Sequence, residues 1–429
     1  MKAKPYQRVV VHAGLHKTGT TSIQDSCYRH RDLLLEHGIA YPVFTFRERN
    51  FFNHSDPLAA VFCRSLGMGG FPRRLNIEGN AEEAISVFSG QLQQVLEEPA
   101  GETLLLSAEL VCDFSKKDML ALRRYLEKHA GKVQVIAFVR SPTSSLESIL
   151  QQRSVSGRPA DPASLVGLVT ARYHRLLAAF SDVLKIFNYH DAVDKPVGLV
   201  GHLLMHLGLP EEVVSRLEFD RANQRFSVEA YRIMEAINRA YPAGVGEDHT
   251  VRRVYHDMRP LYSVTGDPFR IENFLDSQLY EELTRESESL EQELAFLFPK
   301  TSPTATGPLW QEQTLAQAAA AIASLENPAL REVAKKVLLD EAGDLQEKDS
   351  DTAAVLSFIA RQVDTSEELA TEAILDKLGA DYFKFSALQV ERGSSEMALL
   401  LMLLARRLRP DAPFIKERIS HYRQQLKKT

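Results

Sequence analysis

Val9-Val10-Val11 places three β-branched apolar side chains in succession. Side chains on a strand alternate between its two faces, so a strand made from this run needs apolar cover on both. The run leads into Gly14-Leu15-His16-Lys17-Thr18-Gly19-Thr20-Thr21-Ser22, and a helical pattern follows at once. A strand buried on both faces, a glycine-bearing loop and a helix together predict one unit of a parallel sheet sandwiched between helices.

The same texture recurs. Apolar runs at Arg8–His12, Thr103–Ser107, Val133–Val139 and Val183–Phe187 read as buried parallel strands. Helical patterns lie between and after them, at Ser22–Glu36, Ala81–Glu98, Lys116–His129 and Pro142–Val155, with further helices at Ser227–Arg239 and Ser277–Phe298 expected to pack on the same core. Pro299-Lys300-Thr301-Ser302-Pro303 through Pro308 reads as a linker. Past it the strand signals fade and the chain is rich in alanine and leucine. The expected organisation is an α/β domain over 1–300, a linker over 301–310 and an all-α domain over 311–429.

Within that tail, Tyr382, Gly393, Ala398, Ala405 and Pro410 follow the spacing of aromatic, turn glycine, small contact residues and exit proline, and the segment resembles one tetratricopeptide repeat. One copy cannot bury its own face, so the helices before it would have to serve as neighbours, and a protein partner for this region is expected.

Charge narrows the function classes. The chain has 51 basic and 57 acidic residues, a net charge of −6, which is not the balance of a general nucleic-acid binder. Cys27, Cys63 and Cys112 lie far apart without C-x-x-C spacing, so neither a disulfide framework nor a zinc ribbon is expected, and a reducing, cytoplasmic setting is. The basic N-terminus has too short an apolar run for a signal peptide. The longest apolar run, Met397 to Ala405, falls well short of the ~18 residues that span a bilayer.

The loop carries the chemistry. Gly14 and Gly19 have the separation of the two glycines in G-x-x-x-x-G-K-[ST], but Thr20 stands where that motif has its lysine, and Lys17 lies inside the loop. The Leu104-Leu105-Leu106 strand also leads to Glu109 rather than to a Walker-B aspartate. The loop still suits an anion. Gly19 permits close approach, and Thr20, Thr21 and Ser22 offer hydroxyls and N–H groups at a helix N-terminus. Lys17 supplies a point charge.

Lys17-Thr18-Gly19-Thr20-Thr21 resembles the 5′-phosphosulfate loop of sulfotransferases that use 3′-phosphoadenosine 5′-phosphosulfate (PAPS), and the longer stretch through Ser22-Ile23-Gln24 is similar to a bacterial branch of that family. The family pairs this loop with an Arg at the end of a later parallel strand, a Pro two residues on and a Ser eight residues after the Arg. Arg140, Pro142 and Ser148 in VIAFVRSPTSSLES fit. The residues have reasons of their own: Arg140 leaves a strand at its carboxyl end, where open α/β sheets bind ligands, and Pro142 suits a first helical turn. The resemblance covers about residues 7–300 and implies a P-loop-like sulfotransferase fold. It implies PAPS as co-substrate, held by His16, Lys17, Thr18, Gly19, Thr20, Thr21 and Ser22, with Arg140 and Ser148 on the 3′-phosphate. The late R-K-G-x-x-G loop of many eukaryotic members is not found; Val264–Phe269 is the nearest turn-rich stretch.

Sulfuryl transfer resembles phosphoryl transfer, with Lys17 neutralising the leaving phosphate and no metal expected, since no metal-ligand spacing occurs. The acceptor needs a base. His54, in the turn Asn53-His54-Ser55-Asp56-Pro57, is the first choice, and Glu109 the rival. His12 and His16 are expected to shape the loop or meet the sulfate rather than act as base, and His174, His190, His202 and His206 to be packing or surface residues. The expected acceptor is a carbohydrate or related bacterial metabolite with a hydroxyl or amine. Two readings compete: an ATP-using P-loop kinase or nucleotidase, which the absent Gly-Lys pair opposes, and a helical-repeat adaptor with an idle cradle, which the intact Lys17, Arg140 and Ser148 oppose.

Overall fold

The computed structural model describes residues 4–63, 81–159, 161–219, 226–242, 257–271, 277–299, 310, 312–345, 387–388, 395–409 and 411–426. The chain divides into two compact units, one of residues 1–148, 162–223 and 275–301, the other of 149–161, 224–274 and 302–429.

The first unit is built on a five-stranded sheet in the order β2-β5-β1-β6-β7, with every neighbouring pair parallel. The strands are β1 (Tyr6–His12), β2 (Ile39–Ala40), β5 (Thr103–Ser107), β6 (Ala130–Val139) and β7 (Leu184–Asn188). Between β2 and β5 a small hairpin forms from β3 (Phe44–Phe46) and β4 (Arg49–Phe51). Its turn, Arg47-Glu48, has positive φ at both residues, as the twist of a two-residue hairpin demands.

The continuous apolar runs have their expected cause. Val9 and Val11, with Leu104, Leu106, Val135 and Ala137, join a core on one face that includes Phe88, Leu122 and Leu176 from helices Ala81–Glu97, Lys116–His129 and Leu168–Phe180. Val10, Leu105, Ile136 and Phe138 face the other way, in a core with Ile23 and Cys27 of helix Thr20–Arg29 and Leu203 and Leu204 of helix Gly198–Leu207. The sheet is therefore covered on both sides, the α/β class predicted.

Some elements differ from the sequence reading. The helix expected over Ser22–Glu36 is two, Thr20–Arg29 and Arg31–Glu36, because His30 leaves helical geometry at φ −102°, ψ 20°. Helix Ser277–Leu294 stays with the sheet, Leu290 in its core and Glu286 bonded to Thr170. Helix Val228–Ala240 does not. Its Ile233, Met234 and Ile237 share a core with Trp310, Ala334 and Leu338 of the helical unit, and its Arg232 pairs with Glu341. An amphipathic stripe records that a helix packs on something without naming the partner.

The second unit is helical, with Glu312–Ala323, Pro328–Leu345, Ser395–Leu408 and Pro413–Leu426 among its elements. Val264–Phe269 belongs to it: the Thr265 N–H donates to Gln317 Oε1 at 2.7 Å, and Thr314 Oγ1 donates back to the Thr265 carbonyl at 2.7 Å. Of the repeat-like spacing, Ala398 and Ala405 are buried in this core, as small contact residues should be. Tyr382, Gly393 and Pro410, and the linker residues 300–309, lie outside the described residues. No helix among the described residues is long and apolar enough to cross a membrane.

Candidate active site

Because β1, β5, β6 and β7 run parallel, their carboxyl ends share one edge, and the segments after them meet there. The chain turns to opposite neighbours on the two sides of β1, with β5 on one flank and β6 on the other, which is the topological switch point where such sheets take ligands.

The loop after β1 is anchored at its start by the Ala13 N–H donating to the Ile136 carbonyl at 2.9 Å. Lys17 and Gly19 then adopt left-handed φ of 68° and 73°. Glycine does this freely; lysine does not, so Lys17 has to be held. Two contacts hold it. Thr18 Oγ1 donates to the Leu15 carbonyl at 2.5 Å, and Arg140 Nη1, arriving from the end of β6, donates to the Lys17 carbonyl at 3.0 Å. Gly19 is also required for space: a Cβ there would lie 2.3 Å from Leu199 Cδ2. Helix Thr20–Arg29 starts immediately after Gly19.

The cradle contains polar atoms with nothing to bond. Thr20 Oγ1 and His12 Nε2 are buried without a hydrogen-bond partner. Both flank Gly14, whose absent Cβ would meet Thr20 Oγ1 at 2.6 Å and His12 Cε1 at 3.5 Å. A buried donor left unbonded is costly, and one at a helix N-terminus suits an anion. Thr21 is exposed and Ser22 half-buried at the same helix start. Burial lowers the pKa of the Lys17 ammonium; the negative charge of Glu109 opposes that and the positive charge of Arg140 adds to it. Those two charges bracket Lys17 electrostatically.

On the β6 flank, Arg140 Nε donates to Ser144 Oγ at 2.8 Å and its guanidinium lies 5.1 Å from the centre of the Tyr189 ring. Ser144 is a turn earlier on the helix than the expected Ser148, which is half-buried on Pro142–Val155. His190 Nε2 accepts from the Ser141 N–H at 3.3 Å and so braces the backbone next to Arg140. Tyr189 and Leu199 were not singled out from sequence. Tyr189 carried a signal nonetheless, as an aromatic residue one position past an apolar strand, at the edge where ligands bind.

The β5 flank differs from expectation. His54 is fully buried. Its Nδ1 accepts from the Ser107 N–H at 2.8 Å, and its Nε2 donates to the Pro42 carbonyl at 2.8 Å. With both nitrogens committed to backbone, the ring has no lone pair for an acceptor's proton, and burial pushes its pKa down to about 4, only partly offset by the bond to Pro42. His54 pins the segment before the hairpin to β5, an arrangement that opposes the base role expected of it. His12 is similarly buried, at about 4, with Nδ1 2.9 Å from Ser107 Oγ.

Glu109, starting the short 3-10 helix Glu109–Asp113, lies 3.9 Å from His16 Nδ1. His16 Nε2 is 2.6 Å from Asp113 Oδ2. Asp113 also accepts from Arg172 Nε at 2.9 Å and lies 3.5 Å from Arg175. Burial alone would raise the Asp113 carboxyl; hydrogen bonds from His16 and Arg172 outweigh it and hold the group at about 2. His16, Cys112 and Asp113 bring potential ligand atoms within 4.8 Å of one another. The two guanidinium groups on Asp113 oppose a cation there, and burial holds the Cys112 thiol protonated. His174 pairs with Glu293 and His202 with Lys195, away from these contacts.

No family model and no curated protein matches the chain. Among solved structures it is similar to a crystal structure titled as a sulfotransferase from Alicyclobacillus acidocaldarius, at 15% identity over 56% of this chain and 94% of that one, with a TM-score of 0.31. A likeness that loose leaves fold and activity to the residues themselves.

Proposed function

We propose that this chain moves a sulfuryl group from PAPS to a hydroxyl or amine acceptor by in-line displacement. The observation that carries the reading is the bond from Arg140 Nη1 to the Lys17 carbonyl, 3.0 Å long, across a sequence separation of 123. It joins two segments, far apart in sequence, that the resemblance pairs in one nucleotide site. A triphosphate site needs only the loop. A second fixed cation beside it suits an adenosine carrying phosphates at both the 5′ and 3′ positions.

The roles follow from placement. Backbone N–H groups and hydroxyls of Thr18 through Ser22 take the 5′-phosphate, where Thr20 Oγ1 already lacks a partner. Lys17 places its charge on the bridging oxygen as negative charge gathers there. Arg140 holds the 3′-phosphate and Ser148 supports it. Tyr189, stacked near Arg140 and beside Gly19, offers a flat apolar wall to the nucleoside. Catalysis of this type is mostly positioning and charge neutralisation, so no metal is invoked. For the acceptor, a carbohydrate or related metabolite is proposed, and for the helical unit a protein partner.

Calorimetry tests the reading. Adenosine 3′,5′-bisphosphate should bind without Mg²⁺, and ATP should bind far more weakly with or without it. Lys17→Ala should cut transfer from labelled PAPS by about a thousandfold, the scale of losing a transition-state charge contact. Tight, Mg²⁺-dependent ATP binding would establish a kinase-type site instead.

A further inference from the structure

With His54 bound on both nitrogens, proton removal from the acceptor falls to Glu109 or to His16 beside it. We infer that His16 is the general base of the proposed transfer and that Asp113 is its positioning residue. The inference rests on the sulfotransferase reading and deepens it.

Four observations carry it. First, His16 precedes Lys17 directly, so its ring starts one residue from the ammonium at the reacting centre. Second, its orientation is fixed. An ionised Asp113 can only accept, so the 2.6 Å contact makes Nε2 the protonated nitrogen and leaves the lone pair on Nδ1. Third, the ring is not sealed: the His16 side chain keeps 24% exposure, whereas His12 and His54 are fully buried. Fourth, the imidazolium that would form has charge compensation in place. Asp113 lies on one side of the ring, and Glu109 Oε2 is 3.9 Å from Nδ1 on the other. Asp113 is itself fixed by Arg172 at 2.9 Å and Arg175 at 3.5 Å, both on helix Leu168–Phe180, so the His–Asp pair does not depend on a mobile carboxylate.

The step balances. The acceptor oxygen forms its bond to sulfur while the bond from sulfur to the bridging oxygen of the 5′-phosphate breaks, taking its electron pair to the phosphate beside Lys17. The acceptor's proton passes to His16 Nδ1 and from there to water. Glu109 stabilises the charged ring and is not the proton's destination. The geometry also divides the labour across the sheet edge. The β6 flank, with Arg140 and Tyr189, faces the nucleotide. The β5 flank, with His16, Glu109 and Asp113, faces the acceptor.

The test compares two reactions of the full chain that differ only in their need for a base. One is bisphosphate release from PAPS with water and a panel of methyl glycosides as acceptors. The other is nitrophenolate release from p-nitrophenyl sulfate with adenosine 3′,5′-bisphosphate; nitrophenolate leaves as a stable anion and needs no proton transfer. His16→Gln is expected to lower the first reaction by roughly 10²-fold or more, the usual scale for general base catalysis, and nitrophenolate release by much less. Added imidazole should restore part of the loss in His16→Gly. Asp113→Asn should lower kcat of the first reaction with little change in KM, and lower the second by less.

Equal losses in both reactions for His16→Gln, or no loss in either, would overturn the assignment. A loss in Glu109→Gln that exceeds that in His16→Gln would also overturn it and move the base to Glu109. Melting temperatures of all variants separate unfolding from chemistry. Failure of the sulfotransferase reading looks different, because wild-type chain would then neither bind the bisphosphate nor release nitrophenolate.

Discussion

The two flanks of β1 contrast in how they hold their functional groups. On the β6 flank, Arg140 and Ser144 come from one short stretch, four residues apart, and Arg140 reaches the loop directly. On the β5 flank, His16, Asp113 and Arg172 come from three distant segments: the loop, a short 3-10 helix and the helix Leu168–Phe180. Fixed spacing on one element suits recognition of a constant ligand, which the proposed function makes the bisphosphate. A cluster assembled across segments can vary one member at a time, as a surface facing a variable acceptor requires. Loops positioned by a rigid sheet are where such variation is tolerated.

The largest expected effect that would break this contrast is on nucleotide recognition. Arg140→Ala should weaken adenosine 3′,5′-bisphosphate by about 100-fold, from ~3 kcal/mol for one charge-assisted contact, and adenosine 5′-phosphate by clearly less, through the lost brace on Lys17 alone. Calorimetry with both ligands measures it. Equal losses for the two would mean that Arg140 serves the Lys17 loop rather than a 3′-phosphate.

His54→Ala should act on stability instead of chemistry. It strands the buried Ser107 N–H and Pro42 carbonyl, at about 1–3 kcal/mol each. Denaturant midpoints should fall accordingly, while kcat per folded molecule stays near wild type. A collapse of kcat at unchanged stability would return the base role to His54.

Acid should act on the same flank. His12 and His54 remain neutral in the folded chain down to about pH 4, whereas the ordinary histidine value is 6.5. Between those values the unfolded chain binds more protons than the folded one, so stability falls as pH drops from 6.5 towards 4 and then levels off. The loss approaches roughly 3 kcal/mol per histidine. Asp113, held at about 2, keeps its stabilising charge through that window and loses it only below it. Unfolding curves at pH 7, 5.5 and 4 test this, and His54→Asn should flatten the slope. The smallest expected effect is that of Ser148→Ala, about fivefold in bisphosphate affinity for ~1 kcal/mol of one hydrogen bond. A larger loss in Ser144→Ala would sharpen the view that Ser144 orients Arg140.

Much of the sheet was legible because both-face burial writes itself as unbroken apolar runs, as in Val9-Val10-Val11 and Leu104-Leu105-Leu106. That the loop and Arg140 would lie at strand ends was legible for a related reason: each directly follows an apolar run, and the turn at Gly19 takes the left-handed φ that glycine adopts freely. What lay outside that grammar was misread or missed. His54 looked like a base because a loop histidine before a helix shows nothing of its burial. Asp113 and Arg172 showed no spacing at all, since their pairing spans 59 residues.

Sequence by itself therefore determined four of the parallel strands, the turn after β1 and the place of Arg140 at the end of β6, since each is set by side-chain periodicity or by contacts within a few residues. Tertiary structure alone decided which histidine is sealed on backbone and which stays partly exposed, and which core takes the helix Val228–Ala240. A side chain's solvent access and hydrogen-bond partners depend on segments brought together by folding, and no local pattern encodes them.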